Sequence, residues 1–111
     1  MNQNDILSDI SLMRAAAGDV AALLRALANE DRLLILCQLS QGELSVSGLE
    51  QCLDIHQPTL SQQLTVLRSE ELVSTRREGK RIFYSIRDKR VLTLLDTLYR
   101  LYCPVSGEKK S

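Results

Sequence analysis

LSVSGLEQCLDIHQPTLSQQLTVLRSEELVSTRREGKRIFYSI, residues 44–86, is the stretch that decides the fold. Within it Leu44, Val46, Leu49 and Leu53 recur at helical spacing, and Leu60, Leu64 and Leu67 form a second stripe of the same period. Asp54-Ile55-His56-Gln57 separates the two stripes with a turn of the length a helix-turn-helix uses. Pro58 stands where a first helical residue tolerates a missing N–H, so the second helix is expected to begin at about Pro58. Its apolar stripe must face inward. That leaves Thr59, Ser61, Gln62, Gln63 and Thr65 outward, short donors and acceptors suited to base edges and phosphates. Residues 72–77 and 80–86 then read as two strands around Glu78-Gly79, with Gly79 supplying the positive φ of a tight hairpin turn. Helix, turn, helix and basic hairpin, in that order, are the parts of a winged helix-turn-helix.

Outward from this stretch the chain is helical. Ile6, Leu7, Ile10, Met13 and Ala17 share one side of a helix over about residues 5–17, and Gly18-Asp19 is expected to break or kink it. Val20, Leu23, Leu24 and Leu27 continue as a stripe that ends near Asn29, a good cap for a helix whose first turn holds Glu30 and Asp31. Leu33, Leu34, Leu36, Cys37 and Leu39 leave that helix little polar surface, which predicts a central place in the core; Gln41-Gly42 ends it. Residues 88–103 carry Val91, Leu94, Leu95, Leu98, Leu101 and Tyr102 on a face widened by Leu92 and Tyr99. One small core cannot cover so broad a face, so a second subunit is expected to cover it, with the first helix as the natural partner in that interface. Pro104 is expected to stop the helix. The expected fold class is mainly α with a small β-hairpin: a single winged helix-turn-helix domain over residues 1–111, in the order ααααββα, forming a homodimer. Dimerisation helices fall at about 5–17 and 88–103, the DNA-reading unit at about 44–87, and a flexible tail at 104–111.

Length and composition agree with this. A chain of 111 residues, 44% of them apolar, has material for one core and little beyond it, so dimerisation would help. No apolar run approaches the roughly 20 residues of a membrane span. Met1-Asn2-Gln3-Asn4-Asp5 shows no basic segment leading into an apolar one, and a cytoplasmic location is expected. Three cysteines, Cys37, Cys52 and Cys103, are an odd number that argues against a structural disulfide framework. The formal net charge of zero divides unevenly: residues 1–55 hold three Lys/Arg against eight Asp/Glu, a net −5, and residues 56–111 hold eleven against six, a net +5. Arg68, Arg76, Arg77, Lys80 and Arg81 gather at and just past the proposed recognition helix, where a phosphate-facing surface belongs.

The segments Ala28-Asn29-Glu30-Asp31-Arg32-Leu33-Leu34-Ile35-Leu36, Gly42-Glu43-Leu44-Ser45-Val46 and Gln57-Pro58-Thr59-Leu60-Ser61-Gln62-Gln63-Leu64, followed by the basic hairpin, resemble the ArsR/SmtB family of homodimeric repressors. The likeness covers about residues 15–103 and is greatest to the BigR/SqrR/HlyU-like branch, whose members respond to reactive sulfur species or oxidants through two cysteines. By that resemblance the sensing residues are Cys37 and Cys103. Where metal-sensing relatives place a Cys-x-Cys pair, this chain has Ser45-Val46-Ser47, and hydroxyls do not replace thiolates for a soft metal. Residues 88–103 contain no histidine, and His56 is alone in the chain, so a four-ligand zinc site is hard to assemble. No metal and no cofactor is expected.

The resemblance implies a DNA-binding repressor that leaves its double-stranded operator when persulfide or another oxidant joins Cys37 to Cys103, with Cys52 a bystander. Gln57, Thr59, Ser61 and Gln62 are the candidates for base contact, some of which could instead cap the helix or touch phosphate. Arg76, Arg77, Lys80 and Arg81 are expected to anchor the wing to the backbone or minor groove, and His56 to serve the turn or a phosphate. Alternative readings are a metal- or metalloid-responsive repressor using the same thiols, a thiol enzyme, and a winged helix that binds only protein. Against the enzyme stand the lack of Cys-x-x-Cys, of a glycine-rich phosphate loop, and of a histidine spaced to activate a cysteine.

Overall fold

The computed structural model describes residues 3–103, with side chains from Asp9 onward. Expectations for the side chains of Ile6 and Leu7, and for Pro104 and the tail 104–111, lie outside what is described. The first element is one helix, α1 (Gln3–Leu27), of 25 residues. The break or kink expected at Gly18-Asp19 does not divide it. A glycine inside a helix costs only about 1 kcal/mol relative to alanine, and strong helix formers flank it in Ala15-Ala16-Ala17 and Ala21-Ala22-Leu23-Leu24. Helix α2 (Glu30–Leu39) follows, its N-terminus capped by Asn29, whose side-chain oxygen accepts the Arg32 backbone N–H at 3.0 Å. Ile35, Leu36 and Leu39 of α2 are buried, whereas Leu34, expected inside, is 47% exposed.

The chain then forms β1 (Leu44–Ser45), α3 (Val46–Leu53), α4 (Thr59–Ser69), β2 (Val73–Glu78), β3 (Arg81–Ile86) and α5 (Lys89–Tyr102). Leu44 belongs to a strand and not to the helical stripe assigned to it. Ser45 is the reason: extended at φ −79° and ψ 169°, it caps α3 by accepting the Gly48 N–H at 3.1 Å, so the helix starts at Val46. Pro58 likewise sits one position before α4, as its cap residue. The sheet is antiparallel in the order β1-β3-β2, with Leu44 opposite Tyr84 and Ser45 opposite Phe83, and the β2–β3 turn uses Gly79 at φ +63°. Asp88 caps α5, accepting the Arg90 N–H at 2.9 Å.

One cluster holds these elements together. Leu36, Leu49, Leu60, Leu67 and Val91 are fully buried, with Leu64 at 2% exposure, and each such side chain contributes about 1.5–3 kcal/mol relative to exposure. Outside the cluster, Ile10, Leu12, Met13, Val20 and Leu24 of α1 and Leu92, Tyr99, Leu101 and Tyr102 of α5 remain exposed. Among the described residues no helix is long and apolar enough to cross a membrane. A Cβ at Gly18 would meet nothing within 4 Å, so Gly18→Ala is expected to raise stability by about 0.5–1 kcal/mol. In urea unfolding this reads as a higher midpoint at unchanged slope.

Candidate nucleic-acid interface and thiol pair

Three buried leucines, Leu60, Leu64 and Leu67, fix which side of α4 faces the core. The opposite side presents Ser61, Gln62 and Thr65 exposed, with Thr59 half-buried at the start. Gln57 caps: its side-chain oxygen accepts the Ser61 N–H at 3.0 Å, satisfying a helix-end donor that lacks an intrahelical partner. The Thr65 hydroxyl donates to the Ser61 carbonyl at 2.9 Å. In the preceding turn His56 Nε2 lies 2.9 Å from Asp54 Oδ1, both side chains exposed.

Gln63 departs from the outward set. It is half-buried, and its Oε1 accepts from Arg32 Nη1 at 2.8 Å. The same guanidinium donates through Nη2 to the Arg25 carbonyl at 3.2 Å and through Nε to the Ala26 carbonyl. One arginine of α2 thus joins the last turn of α1 to α4. Sequence reasoning missed this residue; the one local signal is its place three positions after the capping Asn29.

The hairpin β2–β3 carries the expected cations. Arg77, Lys80 and Arg81 are exposed at and beside its tip. Arg76 is engaged: Nε and Nη2 donate to the two Glu43 carboxylate oxygens at 3.0 and 2.8 Å, and Nη1 lies 3.6 Å from Glu78. Its guanidinium also stands 4.8 Å from the Phe83 ring centre, with that of Arg81 at 5.7 Å. Hydrogen bonding by Arg76 holds the Glu43 carboxyl below its ordinary range, and Glu43 raises Arg76 in turn. Lys80, Arg81 and Ile82 share a concavity with Ser45, Val46 and Ser47 at the start of α3.

All three cysteines are free thiols at the surface: Cys37 on α2, Cys52 on α3 and Cys103 just past α5. Cys103 ends α5, its N–H donating to the Tyr99 carbonyl at 2.8 Å, and the Ser40 hydroxyl donates to the Cys37 carbonyl at 2.6 Å. Partial burial, and then the charge of Cys103, push the Cys37 thiol above its ordinary range. Although 66 positions apart in sequence, Cys103 is thus near enough in the fold for its charge to act on Cys37.

A sequence model described as "Bacterial regulatory protein, arsR family" matches residues 29–75. The chain is 50% identical over 91 residues to the biofilm growth-associated repressor of Agrobacterium fabrum, covering 82% of this chain and 78% of that protein. The crystal structure of the transcriptional repressor BigR from Xylella fastidiosa superposes with a TM-score of 0.80 at 42% identity, covering 94% of this chain and 99% of that one. The homodimeric winged helix-turn-helix DNA-binding domain of a Mycobacterium bovis protein, solved in solution, gives 0.70 at 38% identity, over 80% and 83% of the two chains.

The thiol coupling has a measurable sign. In Cys103→Ser the charge contribution disappears while the burial of Cys37 stays. The pH profile for iodoacetamide alkylation of Cys37, followed by peptide mass spectrometry, should therefore move to lower pH while remaining above that of a free cysteine peptide. A profile that does not move would separate the two sulfurs.

Proposed function

The chain belongs to the arsR family of bacterial regulatory proteins, and from that premise we propose that it is a cytoplasmic, homodimeric transcriptional repressor that leaves its DNA operator when Cys37 and Cys103 are cross-linked. The observation that carries the DNA-binding half is the polar outer face of α4, held outward by Leu60, Leu64 and Leu67 beside a hairpin bearing Arg77, Lys80 and Arg81. In this reading Thr59, Ser61 and Gln62 meet base edges and nearby phosphates. Gln57 keeps the helix end in order by accepting the Ser61 N–H, which leaves its amide N–H groups to serve the DNA in this reading. Arg77, Lys80 and Arg81 hold the backbone. Arg76 orients the wing through Glu43 and reaches phosphate only by exchanging that partner.

The exposed apolar faces of α1 and α5 support pairing with a second copy, as does the homodimeric Mycobacterium bovis relative. Two recognition helices then address half-sites about 34 Å apart. The coupling of Cys37 to Cys103 supports the sensing half. Each thiolate takes the terminal sulfur of a low-molecular-weight persulfide R–S–SH, releasing R–SH. The terminal sulfur of one protein persulfide next attacks the inner sulfur of the other, expelling hydrosulfide and leaving a trisulfide between Cys37 and Cys103. This joins the end of α5 to α2. A hundredfold fall in operator affinity needs a bias of only about 2.8 kcal/mol between the two subunit arrangements.

A gel shift with the DNA upstream of the protein's own gene tests the proposal. Polysulfide treatment should release wild-type protein, and mass spectrometry should find a 37–103 peptide pair carrying extra sulfur. Cys37→Ser and Cys103→Ser should stay bound; release of Cys37→Ser at the wild-type dose would end the thiol-pair account. Separately, Arg77→Ala and Arg81→Ala should each flatten the plot of log affinity against log salt by about one unit. An unchanged slope removes the wing from the interface.

A further inference from the structure

We propose that Arg32 is a positioning residue for operator recognition, setting the roll of α4 about its own axis by holding Gln63. The inference rests on the reading of α4 as the DNA-contacting helix. A leucine stripe alone leaves this roll loosely defined, because apolar contact is non-directional and Leu60, Leu64 and Leu67 offer a nearly uniform ridge. A planar guanidinium fork is directional. At a radius of about 6 Å, a 20° rotation carries an outward side chain roughly 2 Å sideways, more than a base-edge hydrogen bond tolerates.

The Arg32 fork is itself anchored. Two of its nitrogens donate to the carbonyls of Arg25 and Ala26, in the last turn of α1, where the helix dipole favours a cation. The remaining nitrogen takes the Gln63 amide oxygen at 2.8 Å. Gln63 is thereby turned toward α2, and its oxygen is spent on Arg32. Because α1 is a dimer helix in the proposed assembly, this one arginine references the reading face of α4 to the frame shared by both subunits.

The test uses the full chain and fluorescence anisotropy with two duplexes of equal length, one from upstream of its own gene and one scrambled. Gln63→Leu should weaken binding to the upstream duplex about tenfold, the size of one lost charge-assisted hydrogen bond. Binding to the scrambled duplex, which depends on phosphate charge, should stay within about twofold. Gln63→Glu keeps an acceptor for Arg32 and should retain most of the affinity. Arg32→Lys, which cannot span all three acceptors, should match Gln63→Leu, and the two combined should lose no more than either alone. Positioning by Arg32 is overturned if Gln63→Glu is as damaging as Gln63→Leu, if Gln63→Leu binds like wild type, or if the Arg32 and Gln63 losses add. Wild-type protein that fails to distinguish the duplexes overturns the operator reading itself, and this inference with it.

Discussion

A helix of eleven residues has room for one buried stripe, and in α4 that stripe is Leu60, Leu64 and Leu67. Their burial, together with Leu36 of α2 and Leu49 of α3, represents several kcal/mol. That is a large share of the net stability of a domain this size. The helix cannot present another side to solvent without surrendering this burial. The outward position of Ser61 and Gln62 is thus a consequence of where three leucines must go. The chemistry of the exposed face is free to vary around that constraint.

Directional polar contacts refine what the leucines fix coarsely. Arg32 ties α4 to the end of α1, and Arg76 ties β2 to Glu43. The Arg76–Glu43 pair is exposed, with 49% and 36% of the two side chains open to solvent, so water and salt screen it and its contribution is to geometry more than to stability. Its other effect is to neutralise one of the wing's cations within the protein, leaving the charge that faces outward concentrated on Arg77, Lys80 and Arg81.

Periodic burial made most of the fold legible. The leucine spacing located α2, α3 and α4, Asp88 and Val91 located the start of α5 to within a residue, and Gly79 marked the hairpin turn. Strand β1 was invisible because two residues carry no period, and Leu44 fell by accident into the spacing of the helix that follows. Gly18 signals a break that does not occur, because the helix formers on either side outweigh its weak local penalty. The pairs Arg32–Gln63 and Arg76–Glu43 span 31 and 33 positions, and no pattern within a window of sequence can announce a contact made by folding. Cys37 and Cys103 came from resemblance alone; their spacing said nothing of proximity.

The short strand β1 has an effect out of proportion to its length. By pairing Leu44 with Tyr84 and Ser45 with Phe83, it ties the middle of the hairpin to the start of α3, while the turn at Glu78 and Gly79 lies beyond that pairing. A hairpin lengthened at its turn would carry its outermost residues about 3.4 Å further from the helices for each residue added per strand, with the β1 pairing left in place as a fixed fulcrum.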